Sequence, residues 1–189
     1  LGDLTMHRTV ASLPFGGRYR LIDFVLSNMV NSNISSIGII TKYNYQSLMD
    51  HLGSGIEWDL DRKNANFYIL PPFASGITTV YRGNLEALSN ALVFLQSNKP
   101  DYVVMCDTTV ICNINFEDAL ESHIKSGADV TAIASRGIQP YETVDSDVYM
   151  KANADNKVVD LSIGQNIGDD SLVGMGMFIV ERKFLMSVI

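Results

Sequence analysis

A glycine pair followed by two arginines is the first part of the chain that could bind an anion. Gly16 and Gly17 have no Cβ atom, so backbone N–H groups beside them can approach a ligand closely. Arg18 and Arg20 follow at once, and guanidinium groups pair well with phosphate or carboxylate oxygens. The same short pattern also fits a tight turn with two solvated arginines, so the motif alone leaves both interpretations open.

An aspartate after the most apolar predicted strand is the second candidate. The run Tyr102–Cys106 is apolar throughout, which predicts a central strand of a parallel sheet, buried on both faces. Ligands of open α/β sheets bind beyond the carboxyl ends of the strands, where Asp107 follows. Its carboxylate could hold Mg²⁺ and, through it, nucleotide phosphates. An ordinary aspartate of a strand-end turn has the same spacing, so both interpretations stay open.

The elements that must position these residues alternate between strand and helix. Apolar residues at helical spacing predict a helix from Leu21, and Asn84 and Asn115 are suitable N-caps for two more. The alternation predicts an α/β, doubly wound domain over residues 1–189, with a largely parallel, Rossmann-like sheet and a small β-hairpin insertion. Strands are predicted at 34–40, 67–70, 102–106, 128–134 and 174–180, and the hairpin at 149–152 and 157–161.

Composition narrows the class of protein. With 189 residues, 47% hydrophobic and 19% charged, the chain has the composition of one globular domain. A net charge of −7 argues against a nucleic-acid surface, and no apolar run is long enough to span a membrane. Cys106 and Cys112 form a poor disulfide framework and fit a reducing cytoplasm; we expect Cys106 to be a buried, inert thiol. The three histidines form no metal-binding motif.

A longer string around the glycine pair resembles the glucose-1-phosphate adenylyltransferase (ADP-glucose pyrophosphorylase) family of sugar-nucleotide pyrophosphorylases. The matching residues are Phe15-Gly16-Gly17, Arg20, Ile22-Asp23-Phe24, Leu26-Ser27-Asn28, Asn31-Ser32 and Ile34. The resemblance implies a cytoplasmic nucleotidyltransferase of glycogen biosynthesis, which converts ATP and glucose-1-phosphate to ADP-glucose and pyrophosphate with Mg²⁺. It also implies that the chain is a fragment, with a C-terminal β-helix domain beyond residue 189.

The resemblance assigns site residues by position. Asp107 matches the metal-binding, catalytic aspartate of the family, and Arg8 matches an arginine that faces phosphate. The glycine turn, and a Tyr-Arg-Gly segment before the predicted helix at Asn84, match the substrate side of the pocket. The implied substrate-binding residues are therefore Arg8, Gly16, Gly17, Arg18, Tyr81, Arg82 and Gly83.

Several family positions carry other residues here. Val10 replaces a lysine, Ile163 a glutamate and Gly164 a second lysine, and Cys106 and Thr108 flank Asp107 in place of glycine and histidine. A cation that neutralises phosphate can contribute several kcal/mol to transition-state stabilisation. These losses resemble the regulatory, catalytically degenerate subunit type, which forms a hetero-oligomer with a catalytic subunit. An active adenylyltransferase with unrecognised replacements, and a nucleotide- or sugar-phosphate-binding module without catalysis, remain alternatives.

Overall fold

The computed structural model describes residues 2–63, 65–71, 84–89, 91–136 and 147–189. Within these ranges the chain forms nine strands and six α-helices. The strands are β1 (Pro14–Phe15), β2 (Tyr19–Arg20), β3 (Ser36–Ile40), β4 (Asn66–Leu70), β5 (Tyr102–Cys106), β6 (Val130–Ser135), β7 (Val148–Ala152), β8 (Val158–Ile163) and β9 (Leu172–Glu181). The helices are α1 (Leu21–Asn31), α2 (Gln46–Leu52), α3 (Asn84–Ser89), α4 (Leu92–Asn98), α5 (Phe116–Ser126) and α6 (Arg182–Val188).

The long strand β9 organises the larger sheet. Val180 of β9 pairs with Val103 of β5 and also with Val130 of β6, so β5 and β6 lie on opposite sides of it. Strand β7 pairs with the start of β9 and with β8, which completes five strands. Every pairing in this sheet is antiparallel.

The predicted α/β class is confirmed, and the sheets are mixed. Among the described residues, the expected parallel pairing occurs only between β3 and β4. β5 and β6 both run antiparallel to β9, so they are parallel to each other but separated by it. The prediction of a largely parallel sheet did not anticipate that β9 lies between β5 and β6. An apolar run indicates burial of a strand but not the direction of the strand beside it.

Strand β5 differs from the predicted central strand. It pairs with β9 on one side, and no strand in the described ranges pairs with its other side. All of its residues are half-buried, whereas Met177, Ile179 and Val180 of β9 are fully buried. The apolar run of β5 therefore reflects packing of its side chains and not pairing along both edges.

Two apolar clusters hold the elements together. One packs α1 against β3 and α2, through Ile22, Leu26, Ile37, Leu48 and Leu52. The other joins α3, α4, β9 and α6, through Leu88, Leu95, Val180 and Leu185. The apolar spacing predicted for α1 is thus confirmed as a buried face.

Both ends of α5 are set by residues that lie next to the helix in the sequence. Asn115 caps α5 as predicted, since its Oδ1 accepts a hydrogen bond from the Glu117 N–H at 2.9 Å. Gly127 ends the helix with φ +61°.

The predicted helix from Asn84 is instead two helices, α3 and α4. The Ser89 hydroxyl donates to the Glu86 carbonyl at 2.6 Å, a contact that competes with continued helix.

The predicted hairpin is confirmed as β7 and β8, which pair from Val148 with Ile163 to Ala152 with Val158. In its turn, Asn153 Oδ1 accepts hydrogen bonds from the N–H groups of Asp155 and Lys157.

No helix within the described ranges is long and apolar enough to cross a membrane.

Removal of the α5 cap should destabilise the fold modestly. In Asn115→Ala the Glu117 N–H loses its acceptor, so we expect the free energy of unfolding to fall by about 1 kcal/mol in urea denaturation. Asn115→Ser keeps a short side-chain acceptor and should stay close to the wild type. Equal stability of the alanine variant and the wild type would contradict the capping role.

Candidate functional site

The glycine pair forms the turn of the short β1–β2 hairpin. Gly16 and Gly17 have φ values of +61° and +79°, in the region that favours glycine, and Arg18 completes the exposed turn. Pro14 pairs with Arg20 and Phe15 with Tyr19, so the turn must reverse the chain within three residues. Both glycines therefore have a conformational role, whether or not the turn also binds an anion.

Arg20 uses part of its guanidinium group in a structural contact with α2. Its Nη1 donates to the hydroxyl of Ser47 at 2.9 Å and to the carbonyl of the same residue. Its backbone N–H donates to Asp23 Oδ2 at 2.9 Å, and Asp23 Oδ1 lies 2.6 Å from His51 Nε2. This network ties the hairpin and the start of α1 to α2. Through its backbone N–H and Nη1, Arg20 therefore has a structural role here.

Arg8 is exposed and lies beside the first residues of the hairpin. It contributes to a depression of about 250 Å³. The lining residues are Asp3, Leu4, His7, Arg8, Leu13 and Pro14. The depression therefore brings Arg8 close to β1, but it does not include Gly16, Gly17 or Arg18.

Asp107 lies directly after β5 and is exposed. Its N–H donates to the Gly176 carbonyl at 2.9 Å, and its Oδ1 accepts from the Thr108 N–H at 2.6 Å. Its Oδ2 has no hydrogen bond to any described residue. The backbone of Asp107 is thus fixed to β9, while one carboxylate oxygen remains available.

Gly176 is a supporting residue whose role the sequence did not reveal. Its φ is +65°, and a Cβ atom placed on it would lie 2.9 Å from the Cβ of Asp107. A contact this short cannot be accommodated without movement of the backbone. The position of Asp107 therefore depends on glycine at residue 176. The only signal in the sequence was the glycine itself, within an otherwise apolar strand.

The donor set around Asp107 allows one mode of magnesium binding. Within the described ranges, no group of three or more His, Cys, Asp or Glu side chains could enclose a metal ion. Mg²⁺ is nevertheless often held by one or two carboxylates, with substrate phosphates and waters completing the octahedron. A single carboxylate with a free oxygen fits that mode and does not fit a binding site formed entirely by protein.

Two free cysteines lie near the aspartate: Cys106 directly precedes it, and Cys112 follows five residues later. The pKa of Cys106 is raised to about 12, chiefly by burial and in smaller measure by the neighbouring Cys112 and Asp107. Burial also raises the pKa of Cys112. Cys106 is half-buried and not fully buried as expected, because β5 lacks a second neighbour among the described strands. Both thiols are nonetheless protonated at neutral pH.

The structure brings together only part of the predicted site. Asp107, Gly176 and the two cysteines are neighbours. Across the described part of the chain, no hydrogen bond or ion pair links Asp107 to Arg8 or to the glycine turn. Residues Tyr81, Arg82 and Gly83 lie outside the described residues. A cleft shared by Asp107, the turn and Arg82 therefore stays a prediction.

The end of β8 carries the two uncharged replacements. Ile163 is the last residue of β8 and is 64% exposed. Gly164 follows with φ +71°, and its N–H donates to the Asp147 carbonyl at 2.7 Å. An apolar side chain and a left-handed glycine thus occupy positions where the resemblance implies a carboxylate and an ammonium group. The third replacement, Val10, opens the short 3-10 helix Val10–Ser12.

Comparison with known proteins gives consistent matches. The family model described as nucleotidyl transferase matches residues 1–182. A glucose-1-phosphate adenylyltransferase of Pseudothermotoga lettingae is 36% identical over 185 residues, which are 98% of this chain and 44% of the relative. The glycogen biosynthesis protein GlgD of Geobacillus stearothermophilus is 44% identical over 140 residues, which are 72% of this chain and 40% of the relative. The chain thus spans less than half the length of these relatives.

A solved structure matches the fold. A chain described as a glucose-1-phosphate thymidylyltransferase from Bacillus anthracis superposes with a TM-score of 0.76 at 17% identity. The match covers 100% of this chain and 69% of the other. At this level of identity the likeness concerns the arrangement of helices and strands.

A side chain at residue 176 should displace Asp107. We expect Gly176→Ala to lower the free energy of unfolding by at least about 1 kcal/mol more than Gly127→Ala, measured by urea denaturation. Gly127 is a matched control, because its φ of +61° imposes the same backbone strain while nothing lies within 4 Å of an added Cβ. Equal effects of the two substitutions would show that the contact with Asp107 has no energetic consequence.

The two cysteines should react slowly with a thiol reagent. With a pKa of about 12, roughly one Cys106 thiol in ten thousand is ionised at pH 8. Single-thiol variants separate the two sites: Cys112→Ser reports on Cys106, and Cys106→Ser reports on Cys112. We expect Cys106 to be labelled more slowly than Cys112, at a rate that rises with pH up to about 12. Labelling of Cys106 at the rate of free cysteine would contradict this.

Proposed function

Because the chain belongs to the nucleotidyl transferase family, we propose a function within glucose-1-phosphate adenylyltransferase. The full-length protein acts in glycogen biosynthesis as a subunit of this enzyme. Its main role is to regulate a catalytic subunit in a hetero-oligomer, and it has weak or no activity of its own. ATP, glucose-1-phosphate or related effectors are its ligands.

The chemistry of the enzyme defines what the chain would have to supply. An oxygen of glucose-1-phosphate attacks the α-phosphorus of ATP, and pyrophosphate leaves. Asp107 would hold Mg²⁺ through its free carboxylate oxygen, and the ion when bound neutralises phosphate charge. Side-chain cations must neutralise the remaining charge as the transition state forms. Arg8 and Arg18 are exposed arginines that could contribute to such binding.

The observation that carries the regulatory role is the uncharged end of β8. Exposed Ile163 offers no hydrogen bond or charge, and Gly164 adopts a left-handed conformation. A lysine in that conformation costs about 1–2 kcal/mol, so the backbone at residue 164 suits glycine better than a phosphate-binding side chain. Together with Val10, these residues leave three positions without the charge that catalysis would use.

Sequence similarity supports the proposed place in glycogen biosynthesis. Identity to GlgD of Geobacillus stearothermophilus is 44% and to GlgD of Bacillus subtilis 42%, compared with 36% to the adenylyltransferase of Pseudothermotoga lettingae. The stretch matched to GlgD is shorter, at 140 and 137 residues compared with 185. Higher identity over the matched stretch favours a relationship to GlgD, and the glycogen pathway is part of the name of that protein.

Steady-state kinetics on the full-length protein test the proposal. Alone, it should form ADP-glucose from ATP and glucose-1-phosphate far more slowly than a typical enzyme, for which turnover is of order 10 per second. Mixed with its catalytic partner, it should change the rate or effector response of that partner. A lone subunit with turnover of order 10 per second would favour the active adenylyltransferase instead. A lone subunit that binds ligand but neither reacts nor affects the partner would favour a binding module.

Restoring charge should raise the activity only modestly. In the double variant Ile163→Glu with Gly164→Lys, both charges return, but the lysine must adopt the left-handed backbone of Gly164. A displacement of about 1 Å can cost roughly a hundredfold in rate, so charge without positioning recovers little. The variant Ile163→Gln with Gly164→Ala is a control with similar backbone strain and no added charge. Recovery of a typical turnover by the charged double variant would show that charge alone was limiting.

A further inference from the structure

Two buried polar residues of the α1 region bind the loop that follows Asp107. Residues 107–115, here termed the Asp107 loop, form neither helix nor strand. Asn28 is 6% exposed and Ser32 is 5% exposed, beside the apolar face of α1. Buried polar groups are costly unless they are hydrogen-bonded, so the partners of these two side chains show what they hold.

Asn28 binds the far end of the Asp107 loop, and Ser32 binds the first residue of α5, directly after the loop. Asn28 Nδ2 donates to the Cys112 carbonyl at 2.9 Å, and Asn28 Oδ1 accepts a longer contact of 3.5 Å from the Ile114 N–H. The Ser32 hydroxyl accepts from the Phe116 N–H at 2.8 Å and donates to the Asn28 carbonyl at 2.8 Å. A spacing of four residues places the two side chains on one side of the helix, where they bind residues 112, 114 and 116 at the junction between the loop and α5.

Other ties on this loop are few. Among the described residues, and apart from the bonds within helices and strands, the one backbone–backbone hydrogen bond made by residues 107–115 is the bond from the Asp107 N–H to the Gly176 carbonyl. The loop is therefore fixed to β9 at its first residue and to α1 near its last residues. With the Asn28 contacts removed, the loop between Asp107 and the buried Phe116 at the start of α5 would lose its attachment to α1.

We infer that Asn28 and Ser32 are positioning residues, which hold the Asp107 loop so that the Asp107 carboxylate keeps its place beyond β5. The inference rests on the proposed function, because it assumes that Asp107 holds Mg²⁺ with a nucleotide. It adds a role for α1 that is separate from the hairpin at its start. The two residues act through Asp107 and the loop and do not contact the substrate.

The test uses the full-length protein and two readouts. The first is the ratio of the ATP dissociation constants measured with EDTA and with Mg²⁺, by calorimetry. We expect Asn28→Ala to reduce this ratio by roughly tenfold, as is typical when a partner that orients a metal ligand is lost. The second is thiol labelling of Cys112 in a Cys106→Ser background. Loss of the Asn28 amide frees the Cys112 carbonyl, so labelling should become several-fold faster.

A matched variant separates positioning from general stability. Ile22→Val removes one methylene group from the same helix, in the cluster that packs against β3 and α2. Its expected loss of stability is similar to that caused by a lost buried hydrogen bond. It should leave both the ATP ratio and Cys112 labelling unchanged. If Asn28→Ala does not fold, Ser32→Ala replaces it, with Ser32→Thr as the variant that keeps the hydroxyl and should retain both readouts.

Asp107→Asn distinguishes the two ways in which the inference can fail. If Asp107→Asn leaves the ATP ratio at the wild-type value, Asp107 does not hold the metal, and both its proposed role and the positioning inference are wrong. If Asp107→Asn lowers the ratio while Asn28→Ala does not, only the positioning inference is overturned, even if Cys112 labelling rises. An effect of Ile22→Val as large as that of Asn28→Ala would also overturn it.

Discussion

The antiparallel placement of β9 between β5 and β6 is the constraint on which the candidate site depends. Its register sets Met177 opposite Cys106 and brings Gly176 against Asp107. Pairing with β6 on the other side shifts between Ile133 and Ala134, opposite the segment that contains Gly176. The irregularity is thus located where β9 must accommodate the aspartate. A regular strand with side chains throughout would leave no room for it.

Helix α1 links the two halves of the described site. At its start, Asp23 satisfies the Arg20 N–H and His51, so the glycine hairpin and α2 are held together. Near its end, Asn28 binds the loop after β5, and Ser32 binds the first residue of α5, which follows that loop. Between these polar ends, the apolar side chains of the helix pack on β3. The position of α1 therefore affects both the glycine hairpin and the Asp107 loop. No hydrogen bond among the described residues joins these two regions directly.

Features governed by local chemistry could be predicted from the sequence. The buried face of α1, the Asn115 cap, the Gly127 stop and the β7–β8 hairpin all depend on residues close together in the chain. Features set by distant partners could not. Ser47, which accepts hydrogen bonds from Arg20, lies 27 positions from it in the sequence. Cys112, whose carbonyl accepts from Asn28, lies 84 positions from Asn28. The place of β9 belongs to the same group, and so does the pairing of β5 along one edge among the described strands. Hydrophobicity indicates burial and not strand direction.

The left-handed backbone at Gly164 limits which substitutions this position can accept during evolution. A left-handed residue at this point favours glycine over every residue with a side chain, while the N–H bond to the Asp147 carbonyl fixes the turn. A single substitution to lysine would introduce strain before a neighbouring carboxylate or a rebuilt turn could make use of the new charge. Loss of charge at this corner is therefore an easy evolutionary step, and its reversal requires several coordinated changes.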